Sequence, residues 1–115
     1  MIADTSVWID HLRRGNAHLA KALSLGTVLI HPFIIGELAC GNLRNREELL
    51  SLLQSLSKVP VAHHDEALYL IDSEELAGRG IGWVDVHLLA AARLAGQHLW
   101  TLDRRLATIA SDLGL

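Results

Sequence analysis

The stretch Trp83-Val84-Asp85-Val86-His87-Leu88-Leu89-Ala90-Ala91-Ala92-Arg93-Leu94-Ala95-Gly96-Gln97-His98-Leu99-Trp100-Thr101-Leu102-Asp103 decides the fold. Trp83 to Leu94 is rich in Ala and Leu, which predicts a helix buried on most sides. Gly96 ends it. His98 to Leu102 predicts a strand, and Asp103 stands at its carboxyl end. From Asp85 to Ala95 a helix advances roughly 15 Å at ~1.5 Å per residue. The strand to Asp103 returns roughly 16 Å at ~3.3 Å per residue. Helix and strand run in opposite directions around Gly96, so Asp85 and Asp103 are expected at one end of the domain.

The same alternation extends outward through the chain. Met1 to Asp4 predicts a short strand, with Thr5 or Ser6 as N-cap of a helix over Val7 to Arg14. Trp8, Ile9 and Leu12 share one face of that helix. Gly15-Asn16 breaks it, and Ala17 to Leu25 predicts a second helix. Thr27 to His31 predicts a strand, and Pro32 opens a helix to about Cys40. Asn45, a candidate N-cap, begins a helix to Ser57 with Leu49, Leu50, Leu52, Leu53 and Leu56 as its apolar stripe. Val59 to Ala62 predicts a strand, and His63 to Ala77 a helix capped by Asp65. Gly78-Arg79-Gly80 is a loop, and Arg104 to Leu113 a closing helix. Strands alternating with helices through short connections imply a three-layer α/β domain around a mainly parallel sheet. Leu113-Gly114-Leu115 reads as the approach to a last edge strand, which is either absent or begins at Leu115.

The 115 residues fit one domain, 1–115, and half of them are hydrophobic, enough for a packed core and against disorder. No apolar run approaches the ~18 residues needed to span a bilayer. No basic region precedes the apolar N-terminus as a signal peptide requires. Cys40 is the only cysteine, which suits a reducing cytoplasm and a small buried side chain. The net charge of −3 does not advertise nucleic-acid binding. Yet eight of the ten basic residues are Arg, several of them paired, and a local basic rim can surround an acidic centre.

Four acids interrupt apolar or small-residue runs: Asp4, Glu37, Asp85 and Asp103. A buried carboxylate is costly unless paired, hydrogen-bonded or bound to a cation. Each has a structural reading. Asp4 and Asp103 can cap helices, Asp85 can be a first-turn acid, and Glu37 can meet an Arg. Parallel α/β sheets, however, bind ligands at the carboxyl ends of strands, where Asp4 and Asp103 lie. Glu37, one turn into its helix, can reach the same end. Clustered carboxylates repel one another unless a divalent cation binds. An oxygen-only set suits Mg²⁺ or Mn²⁺, and a cation there can activate water for phosphodiester hydrolysis.

The segments Asp4-Thr5-Ser6-Val7-Trp8-Ile9, His31-Pro32 through Gly36-Glu37-Leu38-Ala39, Gly78 to Asp85, and Leu99 to Leu106 resemble, in order and spacing, those of PIN-domain ribonucleases of the VapC toxin type. The resemblance implies a three-layer α/β/α sandwich with four to five strands. It implies a Mg²⁺-dependent endoribonuclease, with Mn²⁺ able to substitute, that cuts structured cellular RNA of the tRNA or rRNA type. Asp4, Glu37, Asp85 and Asp103 map onto the family's catalytic and metal-binding acids, and Ser6 and Thr101 onto its supporting hydroxyls. It also implies a homodimer, and a cognate antitoxin that wraps the apolar N-terminal helices, with Trp8, Ile9 and Leu12 as contacts.

Arg79, Arg104 and Arg105 are candidates for phosphate contact, with surface solvation as the alternative. Trp8 and Trp83 can stack on bases or pack in the core. His63-His64 lacks the partner pattern of a zinc site. His31 and His87 lie near the acids without a needed base role. Two other classes compete. A non-catalytic PIN-like protein- or RNA-binding module would offer the acids to a partner's Arg or Lys. An Asp-nucleophile phosphatase would need a second Asp where Ser6 stands.

Overall fold

The computed structural model describes residues 1–115. Two regular strands, β1 (Ile2–Ala3) and β2 (Leu99–Trp100), pair in parallel with Ile2 opposite Leu99 and Ala3 opposite Trp100. Two parallel bridges extend the sheet, Ile2 with Leu29 and Ile30 with Lys58. Leu29 N–H donates to Met1 C=O at 2.8 Å, Ile30 N–H to Ser57 C=O at 2.9 Å, and Val59 N–H to Ile30 C=O at 3.0 Å. The rows therefore lie in the order 57–59, 29–30, β1, β2. In chain order that is 3-2-1-4, and the winding reverses between β1 and β2.

Seven helices connect these rows: α1 (Thr5–Arg14), α2 (Ala17–Ser24), α3 (Pro32–Ala39), α4 (Arg46–Ser55), α5 (His64–Ser73), α6 (Trp83–Ala95) and α7 (Arg104–Asp112). Right-handed crossovers place α1 to α4 on one face and α5 and α6 on the other. Packing agrees: α1 meets α2 and α3, α3 meets α4, and α5 meets α6. The predicted three-layer α/β architecture is thus observed, with four parallel rows. α6 is buried without interruption from Val86 to Ala92, as its Ala- and Leu-rich sequence predicts. The three alanines of that run, Ala90 to Ala92, let the helix approach its neighbours closely.

The element ends differ from expectation in instructive ways. Asp4 itself caps α1, accepting from the Ser6 and Val7 N–H groups, rather than Thr5 or Ser6. His63, not Asp65, precedes α5, and Glu66 accepts from the His63 N–H at 2.8 Å. Asn45 occupies the N-cap position in a left-handed conformation and makes no side-chain cap bond. The row predicted at Val59 to Ala62 bridges at Lys58, and Pro60 has no N–H to continue it. Leu115 starts no strand: its N–H donates to Ala110 C=O at 2.8 Å around left-handed Gly114, closing α7. α1 turns Trp8 into the core at 1% exposure, leaving Ile9 and Leu12 on the surface at 36% and 42%.

Candidate active site

The site is built where the winding reverses. Asp4 follows β1 and is only 6% exposed, so its charge must be answered by the protein. One carboxylate oxygen, Oδ1, accepts from Ser6 N–H at 2.9 Å, Val7 N–H at 3.4 Å and the Ser6 hydroxyl. Oδ2 accepts from the Thr101 hydroxyl at 2.6 Å. Both hydroxyls also accept: Ser6 Oγ from Leu102 N–H at 2.9 Å, and Thr101 Oγ1 from Asp103 N–H at 3.0 Å. Two side-chain oxygens thereby sew the end of β1 to the segment leaving β2, with Asp4 at the centre.

Asp103 caps α7, its Oδ1 accepting from Arg105 N–H at 2.9 Å and Leu106 N–H at 3.2 Å. Asp85 lies in the first turn of α6, where Oδ2 accepts from Gly82 N–H at 3.0 Å. Burial raises the Asp85 pKa above the ordinary carboxylate value. The Gly82 N–H opposes that rise, and the negative charges of Asp4 and Asp103 add to it. Asp4, Asp85 and Asp103 therefore act in one electrostatic field. Each holds its element in place, and Oδ1 of Asp85 and Oδ2 of Asp103 carry no protein hydrogen bond. The capping and site readings are compatible.

Glu37 stands slightly apart. It is exposed on α3, and its Oε1 accepts from the Thr5 hydroxyl at 2.7 Å. Thr5 adjoins Asp4, so this bond ties the fourth acid to the margin of the site. The sequence signal for it was a hydroxyl beside Asp4, which the reading of helix caps absorbed. Glu37 also borders a groove of about 500 Å³ whose lining includes Ile9, Leu12, Arg13, Arg44 and Leu49. Trp8 is absent from that groove because it is buried.

No three of the acidic, His or Cys side chains converge on a finished coordination sphere. The donor set nevertheless fits a hard cation. It is all oxygen, it holds unused carboxylate oxygens, and Mg²⁺ takes one or two carboxylates and keeps waters.

The basic candidates lie on α7 and in the loop before α6. Arg79 pairs with Asp112 at 3.4 Å on the surface. Arg105 lies across Gly80, where an added Cβ would come within 2.7 Å of the guanidinium. Arg104 is exposed. His31 and His87 are buried, at 0% and 4% exposure. His31 Nδ1 accepts from Phe33 N–H at 2.9 Å, so His31 serves as the cap of α3. Burial, then the neighbouring His87, lowers the His31 pKa to about 4.

Residues 1–112 match the family described as PIN domain. The chain is 42% identical over 116 residues to Ribonuclease VapC32 of Mycobacterium tuberculosis, in two strains, covering 100% of this chain and 94% of that protein. The crystal structure of PAE2754 from Pyrobaculum aerophilum superposes with a TM-score of 0.67 at 19% identity. It covers 94% of this chain and 82% of that one, a likeness of fold.

Proposed function

The chain belongs to the PIN-domain family, in its VapC branch, and we propose that it is a metal-dependent endoribonuclease toxin restrained by a cognate antitoxin. The observation that carries this reading is the buried Asp4 carboxylate at the reversal of the sheet, held between Ser6 and Thr101, with Asp103 capping α7 on the neighbouring strand's exit. Asp4, Asp85 and Asp103, with Glu37 at the margin, would hold Mg²⁺ or Mn²⁺. The bound cation would supply activated water and neutralise charge developing on the phosphate. Ser6 and Thr101 fix the Asp4 carboxylate, so its orientation needs no rearrangement when substrate arrives. Burial raises the Asp85 pKa, and a cation held beside it would lower it again. Arg79, Arg104 and Arg105 supply phosphate contacts against a net negative surface.

The substrate is a structured cytoplasmic RNA of the tRNA or rRNA kind. The groove beside Glu37, with Ile9 and Leu12 exposed along it, receives the antitoxin. The active form is a homodimer. No helix is long and apolar enough to cross a membrane.

The test is incubation of antitoxin-free protein with total cellular RNA in Mn²⁺ or EDTA, beside Asp4→Asn. The reading requires discrete cuts that need both metal and Asp4, with activity falling on the order of 100-fold or more in the variant. An equally active Asp4→Asn protein of unchanged fold would sink it.

A further inference from the structure

A column of rings runs from the core to the surface at the start of α6. Buried His31 meets Phe33 at a centroid distance of 4.8 Å, and Phe33 meets buried His87 at 4.9 Å. His87 meets Trp83 edge-on at 4.7 Å, and Trp83 meets His64 of α5 at 5.1 Å. Trp83 opens α6 two residues before Asp85, and 38% of it remains exposed. Burying such a ring is ordinarily favourable. Here it stands half in water, braced from behind by His87 and from one side by His64. Its orientation is thus fixed before anything binds, which lowers the ordering cost of a partner.

We propose that Trp83, steadied by His87 and His64, is a stacking platform for one unpaired RNA base next to the scissile phosphate, a binding site that rests on the nuclease reading above. The charge pattern favours RNA as occupant. Arg105 lies across Gly80, and three residues of chain from Gly80 to Trp83 span at most roughly 10 Å, within reach of a neighbouring phosphate. The chain neighbours of the two rings are exposed His63 and Asp65 on one side, and exposed Gly82 with half-buried Ile81 and Val84 on the other. Stacking tolerates every base, so the platform orients an unpaired nucleotide without selecting its identity.

The experiment measures binding of a labelled ten-nucleotide single-stranded RNA of mixed sequence, and of an abasic chain of equal length, in EDTA. Wild type, Trp83→Ala, Trp83→Phe and His64→Ala are compared. Trp83→Ala is expected to weaken the base-bearing RNA about tenfold and leave the abasic chain unchanged. Trp83→Phe should retain most of the affinity, and His64→Ala should lose part of it. In parallel cleavage assays with metal, Trp83→Ala should raise KM more than it lowers kcat. Equal losses on both ligands, or no loss on either, would overturn the platform. So would a shift of Trp83→Ala from dimer to monomer on gel filtration, which would assign the ring to a contact between copies. Absence of metal-dependent cleavage in wild type, with the binding difference intact, would instead strike the nuclease reading alone.

Discussion

His31 and Asp85 respond to pH in opposite directions. His31 has no exposed surface, its Nδ1 is committed to Phe33 N–H, and its native pKa is lowered to about 4 from 6.5. Its unfolded form therefore takes up a proton as pH falls through about 6.5, while the native form resists until about 4. Stability from this residue is full above 6.5 and is lost progressively across that window. His87 is lowered too, by burial first and then by His64, and adds with the same sign. Asp85 is raised, so acidification favours its native form and partly offsets the loss. The large His31 shift dominates. Without metal, Tm at pH 5 is expected to lie several degrees below Tm at pH 7.5, equivalent to about 1–2 kcal/mol. His31→Asn, which keeps an acceptor for the Phe33 N–H, should flatten that slope. An unchanged slope in the variant would exclude His31 as its source. The residue types were legible here, but their burial was not. Nothing in His31-Pro32-Phe33 announces that the imidazole faces inward, because a cap residue can turn either way.

At the scale of elements, the first turn of α6 and its preceding loop position both an acid and a cation. Gly80 has φ +82°, and Arg105 from α7 fills the space a side chain would occupy. Gly80→Ala would meet a left-handed backbone penalty of about 1 kcal/mol and push the guanidinium away. The expected outcome is a modest drop in Tm and weaker RNA binding at low salt, with Mn²⁺ affinity unchanged. Equal loss of metal and RNA binding would contradict the separation of these roles. The sequence carried the existence and order of the helices because apolar period and Gly or Pro punctuation are local signals. Their ends were less legible. α5 stops at Ser73 with Glu75 left-handed, four residues before the expected end at Ala77, and no Gly marks the stop. Asp4 capping α1 was open as a possibility, but the hydroxyls of Thr5 and Ser6 competed for the same position. Ser6 and Thr5 turn out to hold two different acids instead.

At the scale of the molecule, the 3-2-1-4 order places Asp4 and Asp103 on either side of the reversal, and the length of α6 returns Asp85 to the same edge. The placement of Asp85 and Asp103 toward one end was an expectation from helix rise and strand rise, which are fixed quantities along the chain. The exposed margin was less legible. Glu37 reaches the site through Thr5, a long-range bond that no local pattern encodes. The face of α1 was half right: Ile9 and Leu12 are outside, but the same helix turns Trp8 into the core. We propose that Asp4, Asp85 and Asp103, each with a structural duty, also form one cation site. The direct measurement is calorimetric titration of Mn²⁺ into wild type, Asp4→Asn, Asp85→Asn and Asp103→Asn, with Tm recorded with and without metal. The account predicts that each substitution lowers affinity on the order of tenfold or more. It also predicts that metal-free Asp85→Asn is more stable than wild type, because a half-buried, disfavoured charge is gone, and gains less Tm from metal. Unaltered Mn²⁺ affinity in all three variants, or no Mn²⁺ binding by the folded wild type, would contradict it.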